Sequence, residues 1–260
     1  MPQAAVVGAV AASRDGVPVA LVGVRSAIEA ELSRAGASLP IYDAPDVILM
    51  DEAATDVRRR KGSSIMVGMD LVKRGEASAC VSMGHSGATM AAALLVLGRL
   101  PGVERPAILA TIPVRRGYVA LLDAGANADC RAQHLQQFAV MGAAYARAFF
   151  ERAEPTVGLV SIGEEPGKGN ELAREAFELL QATPGLNFYG NVEGRDLFRA
   201  TVDVFVTDGF TGNVMLKLAE GEARELFGWI RESLVSSGPL VKLGAQLVKG
   251  ALRGVAARLD

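Results

Sequence analysis

Residues Thr156–Leu180 read TVGLVSIGEEPGKGNELAREAFELL and contain three segments of different character. An apolar run, TVGLV, leads into the glycine-rich loop SIGEEPGKGNE, which opens the helical pattern ELAREAFELL. A short apolar strand that passes through a loop into a helix is the building unit of α/β proteins. The start of a helix also suits an anion, because free N–H groups and the positive end of the helix dipole lie there.

The glycines and Lys168 of this loop invite comparison with a nucleotide-binding P-loop, but the spacing does not fit. That motif requires Gly, four residues and then Gly-Lys-Ser/Thr. Ile162 stands in the position of the first glycine, and Gly169 in the position of the Mg²⁺-binding hydroxyl. Two interpretations therefore stay open for the loop: an ordinary strand-to-helix connection and an anion site.

The same order of strand and helix recurs along the chain. SAIEAELSRAG predicts a helix with Ser26 as its N-cap and Gly36 as its stop, and SSIMVGMDLVKRG predicts one with a serine cap that stops at Gly75. Near-continuous apolar strands between helices predict an α/β fold with a mainly parallel sheet covered on both faces. The predicted strands are PVALVG, ACVSM, PAILATI, YVALLDAG, TVGLVSI, LNFYGN and VDVFVTDG.

The two ends of the chain differ from a complete α/β pattern. The sequence enters a helical pattern at once, and its last residues, GALRGVAARLD, stop within another. We therefore expect one domain, 1–260, that is shortened at both ends, with residues 225–260 as a helical appendage within it. A protein with a naturally short sheet is the alternative.

Composition excludes several classes of protein. No apolar run reaches the roughly 18 residues that a membrane span needs, and the first residues lack the charged region of a signal peptide. The net charge of −2 does not favour nucleic acid as a partner. Cys80 and Cys130 are predicted to be reduced core residues of a cytoplasmic protein, and His85 and His134 do not have metal-site spacing, so we expect no metal.

Five polar, glycine-rich segments follow predicted strands. In open α/β sheets, ligands bind beyond the carboxyl ends of the strands, so five such loops predict a shared cleft. The chain contains no Gly-x-Gly-x-x-Gly fingerprint, which argues against a dehydrogenase. The segments are SMGHSGAT, DAGANADC, GEEPGKGN, GNVEGRD and TDGFTGN.

The segment GHSGA also resembles the nucleophile elbow Gly-x-Ser-x-Gly of serine hydrolases, with Ala88 in the last position. Ser86, Asp123 and His134 would follow in the required order. His134 lies within a helical pattern in mid-chain, however, and no His-Gly-Gly oxyanion motif is present. These two observations count against a serine hydrolase.

Taken together, six segments are similar to the bacterial acyl-ACP:phosphate acyltransferase of phospholipid synthesis, the PlsX family. They occur in the family's order and cover most of residues 57–217. The segments are VRRRKGSSI, VSMGHSGATMAAALLVLGRLPG, LLDAGANADC, IGEEPGKGNEL, GNVEGRD and DGFTGNVMLK. The resemblance implies a three-layer α/β/α fold, similar to phosphate acetyltransferases and to isocitrate and isopropylmalate dehydrogenases, that is usually dimeric.

The resemblance also implies an activity: transfer of a fatty acyl group from acyl carrier protein to inorganic phosphate, without a cofactor, for phospholipid synthesis. This sequence departs from the family in three places. It has Gly84-His85-Ser86-Gly87 where the family usually has Gly-Asn-Thr-Gly, and it lacks both the opening Asp-Ala-Met-Gly-Gly-Asp motif and the glycine-rich C-terminal segment. A phosphate acetyltransferase of the same fold and an inactive interaction module are the alternatives.

From the resemblance and the loop positions we expect three groups of site residues. Loop N–H groups and hydroxyls are expected to bind phosphate, cations to neutralise it, amides to stabilise the oxyanion, and carboxylates to orient them. The expected catalytic residues are His85, Lys168, Asn191, Arg195, Asn213 and Lys217. The expected phosphate-binding residues are Gly84, Ser86, Gly87 and Thr89, and the orienting residues are Asp123, Asn127, Glu193 and Asp208.

Two surface features predict partners. The basic cluster Arg58, Arg59, Arg60 and Lys61 is either a solvated face or a docking site for an acidic carrier protein, and Arg115-Arg116 is a second basic pair. The tail 238–259 is a basic amphipathic pattern, with Leu240, Leu243, Leu247, Ala251 and Val255 among Lys242, Lys249, Arg253 and Arg258. It predicts a helix in the core or at a homodimer interface, or alternatively one that lies on a membrane.

Overall fold

The computed structural model describes residues 2–115 and 117–256, and it divides into two compact units, Met1–Gly102 and Val103–Asp260. Each unit has its own hydrophobic clusters. The prediction of a single domain with an appendage from residue 225 stays a prediction. Arg116 and Arg258, which the basic pair and the tail pattern include, lie outside the described residues, as does the side chain of Lys242.

The first unit consists of helices around a small parallel sheet of two strands. One cluster joins α1, β1 and α2 through Val6, Val10, Leu21, Ile28 and Leu32, and a second joins the 3₁₀ helix to α3 and α4. In chain order, its elements are α1 (Pro2–Arg14), β1 (Leu21–Gly23), α2 (Arg25–Arg34), β2 (Ile41–Asp43), a 3₁₀ helix (Ala54–Arg58), α3 (Ser64–Lys73) and α4 (Ser86–Val96).

Two local predictions for the first unit are wrong. Helix α2 begins at Arg25, so Ser26 is not its N-cap, and the backbone N–H of Arg25 instead donates to the Asp43 carboxylate at the end of β2 (2.9 Å). The segment ACVSM is not a strand: Val81 is 90% exposed and Met83 is 69% exposed. Gly36 has the positive φ of a helix stop, as predicted.

The second unit contains the larger sheet, whose strand order is β3-β4-β7-β5-β6. β3 pairs antiparallel with β4, and the other pairs are parallel. Its elements are β3 (Ala110–Val114), β4 (Gly117–Leu122), α5 (Ala132–Phe149), β5 (Thr156–Val160), α6 (Glu171–Gln181), β6 (Asn187–Val192), a 3₁₀ helix (Gly194–Asp196), β7 (Val204–Val206), α7 (Gly209–Ser236) and α8 (Pro239–Ala256).

This sheet is covered on both faces, which confirms the three-layer α/β/α prediction within the second unit. Leu122 and Val204 face α5 and α6, while Leu121 and Phe205 face the first turns of α7. α5 approaches closely at Gly142, where an added Cβ would lie 2.5 Å from a methyl carbon of Val204. The apolar strands therefore form the central layer, as their composition predicts.

Helix α7 is 28 residues long, but its buried residues, Gly209 and Gly212, are confined to its first turn. Beyond the sheet it pairs with α8, whose described side chains are not buried. Leu240 and Leu247 of α8 are more than 80% exposed. Packing of the C-terminal helix into the core of its own chain, one of the predicted alternatives, is therefore wrong.

Candidate functional site

Four of the five predicted loops lie along one edge of the larger sheet. β4, β7, β5 and β6 are mutually parallel, so the loops that follow them leave from the same carboxyl edge. The loops occupy residues 123–130, 207–213, 161–170 and 193–196. The fifth loop, around His85, belongs to the first unit and follows no strand.

Asp123 organises the loop after β4. Its carboxylate is fully buried and accepts hydrogen bonds from the backbone N–H groups of Ile108, Gly125, Ala126 and Asn127 at 2.7–3.1 Å, and from the side-chain amide of Asn127 at 2.8 Å. Five donors satisfy the acceptor sites of an ionised carboxylate. Asp123 therefore holds the loop in shape, while its expected orienting role in a reaction stays a prediction.

Asn127 connects this loop to α7. Its amide nitrogen donates to Pro106 O (2.8 Å) as well as to Asp123, so both amide hydrogens have partners. The backbone carbonyl oxygen of Asn127 accepts from the backbone N–H of Gly209 (2.8 Å). With its donors engaged, Asn127 can orient neighbouring groups but has no free N–H for an oxyanion.

The first turn of α7 packs directly on the loop after β4. The Asp208 carboxylate caps the helix by accepting from the Thr211 backbone N–H (2.9 Å) and hydroxyl (2.8 Å). An added Cβ at Gly209 would lie 2.6 Å from Asn127 O, and one at Gly212 would overlap Asp123 O. Glycine is required at both positions by the close approach of backbone to backbone.

Asn213 and Lys217 lie on exposed parts of α7. Asn213 lies over Gly125, since an added Cβ there would be 3.4 Å from the Asn213 amide carbon. The Lys217 ammonium donates to the Glu220 carboxylate (2.8 Å). Asn213 is therefore next to the loop after β4, while the charge of Lys217 is shared with an acidic neighbour one turn away.

The glycine-rich loop 161–170 exposes Lys168. Among the described residues, Lys168 has no ion-pair partner, and its backbone N–H donates to Glu165 O (3.0 Å). The same carbonyl oxygen accepts the side-chain amide of Asn191 (2.7 Å). Asn191 is only 2% exposed, and its Oδ1 is buried without a hydrogen-bond partner in the described part of the chain.

Arg195 and Glu193 lie in the loop after β6. The Arg195 guanidinium pairs with Glu193 (3.1 Å) and with Glu164 of the neighbouring loop (3.3 Å). Glu193 also shares a capping box with Asp196 around the 3₁₀ helix. The structure therefore brings Arg195 to the loop that carries Lys168, but with two carboxylates at its guanidinium.

In the first unit, His85 is the N-cap of α4. Its Nδ1 accepts from the Ala88 backbone N–H (3.2 Å), so its Nε2 is the nitrogen that donates to Glu52 O (3.1 Å). The Thr89 hydroxyl donates back to His85 O (3.1 Å), whereas Gly84 and Ser86 are exposed. Both ring nitrogens of His85 thus have partners that shape the turn at the start of α4.

Sequence reasoning missed Glu52, which connects this turn to the basic cluster. Its carboxylate accepts from the Leu49 backbone N–H (2.7 Å) and pairs with Arg60, while its carbonyl accepts from His85. Arg60 is therefore engaged within the chain, whereas Arg58, Arg59 and Lys61 are exposed. No local pattern could have indicated Glu52, because it lies 33 residues from His85.

The cysteines are not activated nucleophiles. Burial raises the pKa of the Cys80 thiol and of the Cys130 thiol above the ordinary value, so both stay protonated near neutral pH. Among the residues that the structure describes, no three His, Cys, Asp or Glu residues form a metal cluster.

Two shallow hollows are lined by residues outside these loops. One, of about 250 Å³, belongs to the first unit, and the other, of about 210 Å³, to the second. Lys61 is the one expected site residue among their linings. The linings are Lys61, Met66, Val67, Asp70 and Val96 in the first, and Gly117, Tyr118, Phe149, Phe150, Glu151 and Arg152 in the second.

Comparison with known proteins gives close relatives along the whole chain. A family model described as "Fatty acid synthesis protein" matches residues 1–260. A phosphate acyltransferase of Thermus thermophilus is 62% identical over 259 residues, which cover 100% of this chain and 79% of that protein. A phosphate acyltransferase of Deinococcus radiodurans is 58% identical and covers 97% of this chain and 72% of its own.

Solved structures of lower identity share the fold. A phosphotransacetylase from Streptococcus pyogenes has a TM-score of 0.58 at 21% identity, and the EutD phosphotransacetylase from Staphylococcus aureus has 0.55 at 19%. Each match covers 78% of this chain and 73% of the other. The sequence prediction of the fold is confirmed. Within residues 2–115 and 117–256, no helix is both long enough and apolar enough to cross a bilayer.

Substitution of the buried Asp123 tests whether its carboxylate organises the loop after β4. Asp123→Asn turns one acceptor into an NH₂ group that faces backbone N–H donors, so we expect the free energy of unfolding to fall by about 3 kcal/mol. Asp129→Asn, in the same loop but exposed, should change it by less than about 0.5 kcal/mol. Urea unfolding of both variants measures this, and equal effects would contradict the organising role of Asp123.

Proposed function

The chain belongs to the fatty acid synthesis protein family, and we propose that it transfers a fatty acyl group from acyl carrier protein to inorganic phosphate. The product is an acyl phosphate, the activated acyl donor for phospholipid synthesis. Two relatives that are 58–62% identical are named phosphate acyltransferases, which supports transfer to phosphate. No cofactor is part of the proposed reaction.

The proposal depends chiefly on the exposure of Lys168 and on its lack of an ion-pair partner among the described residues. Lys168 lies at the carboxyl edge of the sheet, in a glycine-rich loop that opens α6. An unpaired ammonium beside a helix start is suited to a small oxyanion. Arg195 adds a second cation next to this loop, although Glu164 and Glu193 share its charge.

The proposed step needs little from the protein beyond position and charge. Phosphate is a mono- to dianion near neutral pH, since the second pKa of a phosphate group is about 6–7. One of its oxygens attacks the thioester carbon, a C–O bond forms, and the carbonyl oxygen becomes negative. The C–S bond then breaks, and the departing thiolate, whose conjugate acid has a pKa near 8.5, takes up a proton.

We also propose roles for the other expected site residues. Within the first unit, Gly84, Ser86 and Gly87 at the start of α4 form a separate anion-binding element, with Thr89 beside them. Asn213 is a donor for the oxyanion, because it is exposed next to the loop after β4. His85 shapes its turn, and Lys217 is the exposed group that can protonate the thiolate. Asp123, Asn127, Glu193 and Asp208 orient these loops.

A thioester-consumption assay with purified acyl-acyl carrier protein, with and without phosphate, tests the function. We expect consumption that depends on phosphate and yields acyl phosphate. Lys168→Ala should raise the KM for phosphate about tenfold or more, because one charged contact is lost. Unchanged kinetics would remove Lys168 from the site.

The control for this variant is Lys73→Ala, an exposed lysine at the end of α3 in the other unit, which should leave the KM for phosphate unchanged. The same assay separates the alternatives. Activity with acetyl-CoA alone would indicate a phosphate acetyltransferase. A folded protein without either activity would indicate an interaction module.

We further propose that Arg58, Arg59 and Lys61 form part of the docking surface for the carrier protein. They are exposed, and their charge complements an acidic partner. Arg60 supports the surface through its ion pair with Glu52. Carrier proteins that dock through such charges associate more weakly as salt rises.

Charge reversal tests this docking surface. Arg58→Glu with Arg59→Glu should raise the KM for acyl-acyl carrier protein about tenfold at low salt, with a smaller effect at high salt. Arg14→Glu, at the exposed end of α1, is the control and should change the KM little. A KM that is insensitive to salt and to these substitutions would contradict docking at this surface.

For the C-terminal helices we propose a homodimer interface in a cytoplasmic enzyme, with peripheral membrane contact as the competing assignment. The exposed apolar residues of α8 and of the outer part of α7 suit either partner. They include Trp229, Ile230, Leu240, Leu243 and Leu247, which are 37–85% exposed. A second copy of the chain would cover them without placing the helix in lipid.

Leu243→Glu separates the two assignments. We expect the wild-type protein to sediment as a dimer and not to float with anionic liposomes, and Leu243→Glu to sediment as a monomer, because it buries a charge in the interface. Gln246→Glu introduces the same side chain at an exposed polar position of α8 and should stay dimeric. Flotation of the wild type that Leu243→Glu abolishes would establish membrane contact instead.

A further inference from the structure

The carbonyl oxygen of Glu165 connects the lysine-bearing turn to the sheet. It accepts one hydrogen bond from the backbone N–H of Lys168 (3.0 Å) and one from the side-chain amide of Asn191 (2.7 Å). The first bond closes the turn from Glu165 to Lys168, and the second joins that turn to β6. The position of Lys168 therefore depends on Asn191 through a single shared acceptor.

Asn191 is anchored in the rigid part of the unit. It lies in β6, pairs with Leu159 of β5, and is 2% exposed. Its amide donates to Glu165 O, while its Oδ1 is buried and has no hydrogen-bond partner among the described residues. The bond to Glu165 O is therefore the hydrogen bond that holds this side chain, and a substrate cannot reach the amide while the loop covers it.

The other side-chain attachments of the loop to its surroundings are on the surface, and the backbone bond from Ser161 N–H to Val192 O (2.8 Å) holds only the first residue of the loop. The Glu164–Arg195 pair joins two side chains that are more than half exposed, and the Arg174 side chain donates to Gly169 O from an exposed position. Exposed pairs contribute little to stability, because water and salt screen them. A hydrogen bond from a buried amide contributes more. Asn191 is thus the main attachment of the Lys168 turn.

We propose that Asn191 is a positioning residue, which acts on the reaction by fixing Lys168 rather than by touching the substrate. This inference rests on the proposed phosphate-binding role of Lys168. It replaces the expectation that Asn191 donates to the oxyanion. The physical reason is that the amide is buried beneath the loop, with one of its two N–H hydrogens already bonded to Glu165 O.

The test compares Asn191→Asp with the wild type in the phosphate-dependent thioester assay. The carboxylate keeps the size of the amide but cannot donate to Glu165 O, and it repels that oxygen. We expect the KM for phosphate to rise about tenfold, the effect of one lost buried hydrogen bond, with a smaller change in kcat. An unchanged KM would overturn the proposal.

Asn187→Asp is the matched control. Asn187 lies at the other end of the same strand, and its amide also donates to a backbone carbonyl, that of Glu154 (3.3 Å). It is exposed and far along β6 from the Lys168 turn. It should leave the KM for phosphate unchanged, and an equal rise in both variants would mean a general effect of charge on β6.

A double-mutant cycle with Lys168→Ala separates positioning from a direct contact. If Asn191 acts through Lys168, Asn191→Asp should have little further effect on the KM for phosphate once Lys168 is gone. Effects that multiply independently would overturn the proposal. A wild-type protein without phosphate-dependent activity would instead contradict the proposed function, so the two failures can be told apart.

Hydrogen exchange gives a readout that does not need activity. In Asn191→Asp, amides of residues 163–170 should exchange faster, while those of β4 and β7 keep the wild-type rate. Asn191→Ser, whose short side chain cannot reach Glu165 O, should give the same result if the aspartate variant does not fold. Unchanged exchange of the loop in a folded variant would contradict the positioning role.

Discussion

The buried charge of Asp123 imposes the strictest requirement on the second unit. An ionised carboxylate away from water must be surrounded by donors, and here five N–H groups supply them. Four of the donors are backbone groups, so satisfying the charge fixes the path of the chain around it. The shape of the loop after β4 is thus a consequence of solvating one side chain.

That loop in turn determines where α7 begins. Asn127 accepts the first N–H of the helix, and the glycines at 209 and 212 allow the backbone to come within contact of the loop. At the loop after β5, the buried side chain of Asn191 has a position comparable to that of Asp123. It donates a hydrogen bond from its amide to Glu165 O, where Asp123 accepts with a carboxylate. In both places a buried polar side chain forms hydrogen bonds with the backbone of a glycine-rich loop.

The sequence predicted those features that depend on neighbours along the chain. Continuous apolar runs identified the strands of the larger sheet, because burial on both faces leaves a compositional signal. The strand β2 was missed because its three residues lie between Pro40 and Pro45, outside the kind of longer apolar run that contains the equally short β1 and β7. Helix α2 was given the wrong cap because its first N–H is satisfied by Asp43, which is 18 residues away.

The site was predictable to the same degree. The positions of four of the five loops, with Lys168 and Asp123 in them, follow from the carboxyl-edge rule, while the roles of these residues stay predictions. The bonds from Asn191 to Glu165 and from His85 to Glu52 could not be predicted, since these partners lie 26 and 33 residues away along the chain. Apolar composition also misled at Val81 and Met83, because hydrophobicity indicates a tendency to be buried but does not supply a covering partner.

Glycine has two opposite effects along α7. At residues 209 and 212 it permits intimate contact, and the helix is stiffened there by what surrounds it. Gly221 and Gly228 have open space around them, and each weakens the helix by about 1 kcal/mol relative to alanine without any packing in return. The helix is about 42 Å long, at 1.5 Å for each of its 28 residues. We therefore expect it to be rigid at its N-terminal turn and easier to bend toward its C-terminal end.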